Sequence, residues 1–382
     1  MEHLVNTEDS EKRHQTEVPN VVDGADIDTD NNAVEALSIV EKEPNEEPSG
    51  EVKLRAYRIV CAKLGLSMCV YFAFRLLVGL ISAPLFRATS NLSGDMQYVI
   101  HSFMIIIMVY VIPLLVTALI FKSFKNYKGK YRLLYKKPKR LARALGTFPA
   151  TFGFGHGTAL LTLLVSYLLS RFLGGETLIE DLIRPPAMEP STEILPVLMM
   201  VFMMVIIAPL FEEIWTRGIM FDALKPYGTG MAIIISSVIF GLMHGSLYTL
   251  FYTTAYGFAL GYIRYATDSL LIVTILHALV NGIAAGVLLL GSLAEMAMNQ
   301  NRLLNTALNF YMLAAVIFII IGVVVFISKI PAIRKFTIEN SWADIGPLKK
   351  IGFFLVSVPV IVMLVLAFNE HAGGWLSGLL LN

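Results

Sequence analysis

Residues Met203 to Leu224 read MMVIIAPLFEEIWTRGIMFDAL and place two adjacent carboxylates and an arginine at the foot of a long apolar run. An unpaired charge inside a bilayer costs several kcal/mol, so such residues indicate a function or a close partner. Positions four apart share a helix face, which predicts that Glu213 pairs with Arg217 while Glu212 points about 100° away. Pro209 removes a backbone donor and is expected to kink the helix beside Glu212. The stretch therefore predicts a membrane helix that presents Glu212 as a general base.

The composition of the whole chain indicates a membrane protein. Of 382 residues, 56% are hydrophobic and 15% are charged, and the mean hydropathy is +0.67. These values are too apolar for a soluble globular protein. The chain has no sustained basic face and no nucleic-acid motif, so nucleic acid is not an expected partner. Membrane lipid and a hydrophobic peptide or membrane-protein substrate are the expected partners.

An acidic amino-terminal tail precedes nine apolar segments. Residues 1–52 carry fifteen acidic and three basic residues, which predicts a disordered tail. The segments predict an all-α polytopic transmembrane helical bundle of about eight or nine spans. They lie at 59–83, 98–121, 148–172, 194–221, 231–249, 251–264, 270–295, 306–327 and 351–369. The segment at 251–264 is short and contains Gly257 and Gly261, so we expect it to be buried or re-entrant.

The loop charges predict the orientation in the membrane. Residues Lys122 to Arg143 include ten basic residues and no acidic one, so the positive-inside rule places this loop in the cytoplasm. If all nine segments cross, the amino terminus is also cytoplasmic and the acidic loop at 176–189 lies outside.

Two other apolar segments carry histidine. SSVIFGLMHGSLY places His244 four residues after Phe240, and SLLIVTILHALVNG places His277 four residues before Asn281. An imidazole can transfer protons or bind a metal, and a carboxamide can donate a hydrogen bond to an oxyanion. If the helices end near residues 222, 229 and 268, then Glu212 and these three polar residues lie about 13–22 Å from those ends, in one layer of the bilayer.

Four further polar residues lie in or at the ends of predicted spans and have no polar partner at helical spacing. For these residues packing, snorkelling or a misplaced span boundary is the favoured interpretation. They are Arg75, His101, His156 and Arg171. The FGFGHG stretch at 152–157 lacks the Lys-Ser/Thr ending of a phosphate loop and is interpreted as close helix packing.

The three stretches APLFEEIWTRG, FGLMHG and LHALVNG together resemble the motifs of the CPBP family of intramembrane proteases, also called the CAAX protease or Abi (bacteriocin-processing) family. Those motifs are Glu-Glu-x-x-x-Arg, Phe-x-x-x-His and His-x-x-x-Asn/Asp, and the resemblance covers about residues 200–290. It implies that Glu212 and His244 activate water and that His277 and Asn281 hold the oxyanion. The implied supporting residues are Glu213, Arg217 and Phe240. Thr216 stands where many bacterial members have an aromatic residue, a departure that concerns local packing rather than chemistry.

Composition, charge and the resemblance together predict a domain order and a location. Composition and charge predict a cytoplasmic tail at 1–52, the first spans and basic loop at 53–146 and carboxy-terminal spans at 301–382, and the resemblance implies a catalytic membrane core at 147–300. The residue pattern is similar to that of bacterial members, so a multi-pass protein of the bacterial cell membrane is expected.

The sequence leaves two questions open. His244, His277 and Glu212 would make a two-His, one-Glu zinc set, but a zinc ligand at Glu212 would no longer be the base. Metal-free hydrolysis is the favoured interpretation, with zinc as the alternative. For the function of the whole chain, an ion-coupled transporter and a noncatalytic bacteriocin-immunity or scaffold protein of the same fold are the rivals to a protease.

Overall fold

The apolar run that contains Glu212 forms part of a 34-residue helical stretch, Ile194–Tyr227, which is long enough to cross a membrane. The computed structural model describes residues 50–121, 141–173, 193–297, 300–339 and 346–371. Within these ranges the chain forms ten helices and no strand. The predicted all-α architecture is confirmed.

The ten helices of the described ranges are numbered in chain order. They are α1 (Gly50–Ala88), α2 (Gly94–Ile120), α3 (Leu141–Leu173), α4 (Ile194–Tyr227), α5 (Thr229–Leu242), α6 (Leu247–Thr267), α7 (Leu270–Met296), α8 (Arg302–Glu339), α9 (Pro347–Leu355) and α10 (Val358–His371).

Serine side chains begin three of these helices. Ser93, Ser246 and Ser269 each precede a helix in extended backbone, and each hydroxyl accepts a hydrogen bond from a backbone N–H of the first turn. This satisfies one donor that the helix itself leaves unpaired. The sharp connection between α6 and α7 uses Asp268, whose backbone is left-handed with φ of 52°.

The membrane bundle has fewer spans than the sequence predicts. Among the described residues, six helices are long and apolar enough to cross a membrane, or seven if α9 and α10, bent by 75°, form one span. The expected eight or nine spans are therefore too many. The two missing spans are the predicted segments 231–249 and 251–264, which correspond to α5 and α6.

The helix α5 has only 14 residues, a length of about 21 Å, and the chain turns at residues 243–246 before α6 begins. His244 therefore lies in a turn. The predicted span 231–249 had placed it inside a helix, so that part of the prediction is wrong. The helices α5 and α6 pack against each other. A Cβ atom at Gly257 would lie 3.0 Å from the Cα of Ser237. This short distance confirms the predicted close packing of helices at this glycine.

The FGFGHG stretch confirms its predicted role in helix packing. A Cβ at Gly153 would lie 1.9 Å from the carbonyl carbon of Gly322, so the backbones of α3 and α8 touch where the helices cross. The remaining surface of α8 is largely apolar and exposed, with Leu313, Ile320 and Val324 each more than half exposed. Such a surface suits lipid.

Several predictions concern residues outside the described ranges. Residues 1–49, 122–140 and 174–192 include most of the acidic tail, the basic loop and the acidic loop. The disorder of the tail, the orientation and the division at 53–146, 147–300 and 301–382 stay predictions.

Candidate active site

Pro209 shapes α4 one turn before the two glutamates. The preceding residues, Met203–Ile207, are π-helical, and the N–H of Ala208 donates to the first carbonyl of that segment. In this pattern the carbonyl of Met204 would receive the N–H of residue 209, but proline has none. The side chain of Asn281 on α7 takes its place, since its Nδ2 donates to the Met204 carbonyl at 2.9 Å. Proline thus frees the carbonyl that ties Asn281 to α4.

The predicted pair of Glu213 and Arg217 is present and completely buried. Arg217 Nη1 lies 2.8 Å from Glu213 Oε1, and both side chains are 0% exposed. Arg217 also donates to the hydroxyl of Thr216 at 2.8 Å and to the carbonyl of Gly257 at 3.0 Å. Its guanidinium lies 4.2 Å from the ring centre of Phe240. These contacts compensate for taking a charged pair out of water.

Glu213 has a second partner on α7. His277 Nδ1 lies 2.8 Å from Glu213 Oε1, and because a carboxylate only accepts, the imidazole donates through Nδ1–H. Glu213 therefore joins Arg217 to His277. No spacing rule could reveal this contact, because the two residues are 64 positions apart on different helices.

Glu212 lies on a different face of α4 from Glu213, and its side chain faces the two histidines. Its side chain is nearly buried, and its Oε2 lies 3.9 Å from His244 Nε2 and 3.9 Å from His277 Nε2. Among the described residues, this Oε2 has no hydrogen-bond partner. His244 donates Nδ1–H to the carbonyl of Phe240 at 2.8 Å, which turns its Nε2 toward Glu212. The structure thus brings Glu212, His244 and His277 together.

The ring of Phe240 lies among the polar groups. The edges of His244 and His277 approach it with ring centres 4.8 Å and 5.5 Å away. Together with Arg217 above its face, these contacts fix the orientation of both imidazoles.

The three converging atoms do not form a ready zinc site. Tetrahedral zinc at its usual bond lengths would hold ligand atoms about 3.4 Å apart, which is less than the separations of 3.9 Å observed here. In the described part of the chain, no group of three His, Cys, Asp or Glu residues is arranged to hold a metal ion.

Three residues that the sequence interpretation left without polar partners have them on neighbouring helices or at a distant turn. Arg75 on α1 donates to the Met243 carbonyl, at 2.9 Å. His101 Nε2 lies 2.9 Å from the Ser82 hydroxyl, and His156 Nδ1 contacts the Tyr256 hydroxyl. The sequence could not show these contacts, because their partners lie on other segments, and it also missed Tyr71, four residues before Arg75, whose hydroxyl accepts a hydrogen bond from Arg75 Nη1. Arg171 is exposed near the end of α3.

A buried carboxylate directed at two imidazoles brings together side chains that are able to transfer protons. Residues 194–283 match the family model described as type II CAAX prenyl endopeptidase Rce1-like. The match begins at the first residue of α4 and ends two residues after Asn281. Over this segment the chain is similar to the CAAX protease family, and the resemblance seen in the sequence is confirmed. Comparisons with curated proteins and with solved structures gave no match.

Proposed function

We propose that this chain is an intramembrane endopeptidase that uses a glutamate-activated water to hydrolyse a peptide bond in a membrane-associated peptide or protein. The observation that carries the proposal is the buried Oε2 of Glu212, which faces the Nε2 atoms of His244 and His277 at equal distance. Two acceptors 3.9 Å apart can share one water at hydrogen-bond distance from each.

The first step is attack by water held between Glu212 and His244. Glu212 takes one proton, and the water oxygen bonds to the carbonyl carbon of the substrate, whose oxygen becomes an oxyanion. When the tetrahedral intermediate collapses, the bond to nitrogen breaks and the leaving amine takes the proton from Glu212. The products are a carboxylic acid and an amine, and the second proton of the water passes to the amine to give a carboxylate and an ammonium, so no oxidant, reductant or metal is consumed.

The oxyanion is stabilised by His277 and Asn281. Asn281 Nδ2 has two hydrogens, one of which is donated to Met204, so the second is available to the oxyanion. His277 Nδ1–H is engaged with Glu213, so Nε2 donates when the ring is an imidazolium. Once Glu212 has taken the proton, the charges of Arg217 and of that imidazolium balance those of Glu213 and the oxyanion.

The substrate class follows from the family and the position of the site. The matching family model is named for prenyl endopeptidases, and the site lies among apolar helices. A hydrophobic or lipid-modified peptide segment is therefore the proposed substrate. The bacterial cell membrane and a cytoplasmic amino terminus belong to the same proposal.

The test compares cells that carry the wild type with cells that carry Glu212→Gln, and measures the peptides that accumulate in their membranes. We expect a set of peptides to accumulate uncleaved only with the variant. Glu193→Gln, which removes an exposed carboxyl just before α4, is the matched control and should behave as the wild type. Identical peptide profiles combined with a proton flux that depends on Glu212 would replace the proposal with the transporter alternative.

A further inference from the structure

Two side chains of α1 hold the turn that carries His244, although α1 lies outside the segment that matches the family model. The hydroxyl of Tyr71 and Nη1 of Arg75 each donate to the carbonyl of Met243 at 2.9 Å. Arg75 Nη1 also donates to the Tyr71 hydroxyl at 2.9 Å. The two side chains therefore form a closed group of hydrogen bonds on the residue that immediately precedes His244.

This carbonyl needs a partner from outside its own helix. The helix α5 ends at Leu242, and the last carbonyls of a helix have no partner within it. The chain then reverses direction at Gly245, whose φ is 71°. On the other side of the turn, the Thr249 hydroxyl donates to the carbonyl of His244 at 3.2 Å. The backbone of His244 is thus held by α1 before it and by α6 after it.

The same two residues are joined to the helix of the glutamates. The ring of Tyr71 meets Trp215 on α4 edge-on, with centres 5.3 Å apart, and Trp215 is fully buried. The guanidinium of Arg75 lies 5.6 Å from the ring centre of Tyr71. Arg75 is also close enough to Glu212 and His244 to interact electrostatically with both. The group thus connects α1, α4 and the turn.

We propose that Tyr71 and Arg75 are positioning residues, which fix the Met243 carbonyl so that His244 Nε2 faces Glu212. The proposal rests on the proposed function, because it assigns these side chains a part in the same hydrolytic site. A displacement of about 1 Å at a catalytic group can lower turnover about a hundredfold, so two hydrogen bonds on the neighbouring residue are enough to matter.

The variants are Tyr71→Phe, Arg75→Ala and Arg75→Lys, purified in detergent and assayed with a farnesylated peptide that ends in a CAAX sequence. We expect kcat to fall about tenfold for Tyr71→Phe and about a hundredfold for Arg75→Ala, with KM changed less than about twofold. Arg75→Lys keeps a cationic donor and should recover most of the kcat lost in Arg75→Ala.

Matched controls lie on the same helix. The hydroxyl of Tyr57 also donates to a distant backbone carbonyl, that of Lys350, at 3.0 Å, and Arg58 lies over the ring of Phe353. Tyr57→Phe should lower the melting temperature, and both Tyr57→Phe and Arg58→Ala should leave kcat per folded molecule unchanged.

A second measurement needs no substrate. In protein labelled with ¹⁵N-histidine, the His244 signals, assigned with His244→Gln, report the hydrogen bond from Nδ1 to Phe240. We expect these signals to broaden or shift in Tyr71→Phe and Arg75→Ala and to stay unchanged in Tyr57→Phe.

The outcomes separate this inference from the proposed function. If Glu212→Gln is inactive while Tyr71→Phe and Arg75→Ala keep the wild-type kcat and His244 signals, the positioning role is wrong and the proposed function stands. If Glu212→Gln cleaves as the wild type does, the proposed function fails and the His244 signals alone decide the positioning role. The same signals decide it if this peptide is not a substrate of the wild type. Should Arg75→Ala not fold, the kcat and His244 signals of Tyr71→Phe give the same decision.

Discussion

Glu212 and Glu213 are chemically identical neighbours with opposite surroundings. Glu213 is fully buried and shares one oxygen between Arg217 and His277, both at 2.8 Å. Glu212 has no cation in direct contact within the described residues, and its Oε2 faces two imidazole nitrogens. A carboxylate held by two partners stabilises the structure, whereas a carboxylate without a hydrogen bond remains able to accept a proton from water.

Substitutions at these two positions should therefore have different effects. Glu212→Gln should fold and lose turnover, because the amide keeps the shape but does not accept the proton. Glu213→Gln should lower the free energy of unfolding by about 3–5 kcal/mol, since it leaves Arg217 buried without its counter-charge. The measurements are melting temperature in detergent and cleavage rate for each variant.

The double variant Glu213→Gln with Arg217→Met is the control, because it leaves no stranded charge. It should recover much of the stability that Glu213→Gln loses. The assignment is reversed if Glu213→Gln folds normally and is inactive while Glu212→Gln still turns over.

Zinc dependence is a second question at the residue scale. The separations of 3.9 Å between Glu212 and the two histidines exceed those of a tetrahedral zinc site, so we expect purified protein to cleave peptide without bound zinc. Elemental analysis of the active preparation, before and after chelation, is the measurement. Stoichiometric zinc whose removal abolishes cleavage and whose return restores it would refute metal-free catalysis.

At the scale of the helix, Pro209 determines how α4 meets α7. The π-helical segment before it leaves the carbonyl of Met204 to Asn281. Pro209→Ala supplies a backbone N–H that competes for this carbonyl, so we expect Asn281 to be released. The cleavage rate should fall about tenfold, by loss of the oriented oxyanion donor. The melting temperature should stay the same or rise.

Pro113 offers the matched control for this experiment. It also follows a π-helical segment, Ile106–Val111, in α2, and the N–H of Ile112 again donates to a carbonyl five residues earlier. Pro113→Ala changes the same local geometry without touching Asn281. Equal losses of activity in both variants would show that the π-helical geometry, and not the bond to Asn281, is what matters.

A carboxyl pair joins the beginnings of α2 and α4 and gives a pH-dependent contact. A hydrogen bond with Asp95, together with the negative charge of Asp95, raises the pKa of Glu193 above its usual value of 4.5. A raised pKa means that the contact stabilises the fold below the usual pKa and is lost as the pH rises through the higher value in the folded state. The amide of Glu193→Gln can donate a hydrogen bond at every pH. This variant should therefore keep the contact with Asp95 as the pH rises. Melting temperatures across the acidic range test it, with the exposed Glu51→Gln as control.

The sequence predicted those features that depend on neighbours along the chain. The apolar runs located six spans, and the i,i+4 rule paired Glu213 with Arg217. The turn at residues 243–246 escaped prediction because apolar residues continue through it and only Gly245 marks the reversal. Contacts between distant segments, such as His277 with Glu213 or Arg75 with Met243, depend on how helices pack, and periodicity contains no information about that.

For the whole molecule, the candidate site is larger than the segment that matches the family model. Residues 194–283 supply Glu212, His244 and His277, whereas α1 supplies the two donors to Met243. The helices α1 and α2 pack against each other, and both contact α4. The amino-terminal spans are therefore part of the structure that shapes the site, and the 53–146 region is not expected to be removable without loss of activity.

The orientation of this bundle decides from which side a substrate reaches the site. The basic residues between Lys122 and Arg143 predict that their loop is cytoplasmic. Because one span separates the two loops, the loop around Glu180 is then expected to be outside. Lys130→Cys should resist an impermeant thiol reagent in intact cells and react after permeabilisation, whereas Glu180→Cys should react in both. Cys61 is buried and Cys69 packs against Pro359, so the parent protein is the background control. Labelling of Lys130→Cys in intact cells would show that the bundle has the opposite orientation. Glu212 would then lie in the outer half of the bilayer, and a substrate would have to enter from outside the cell.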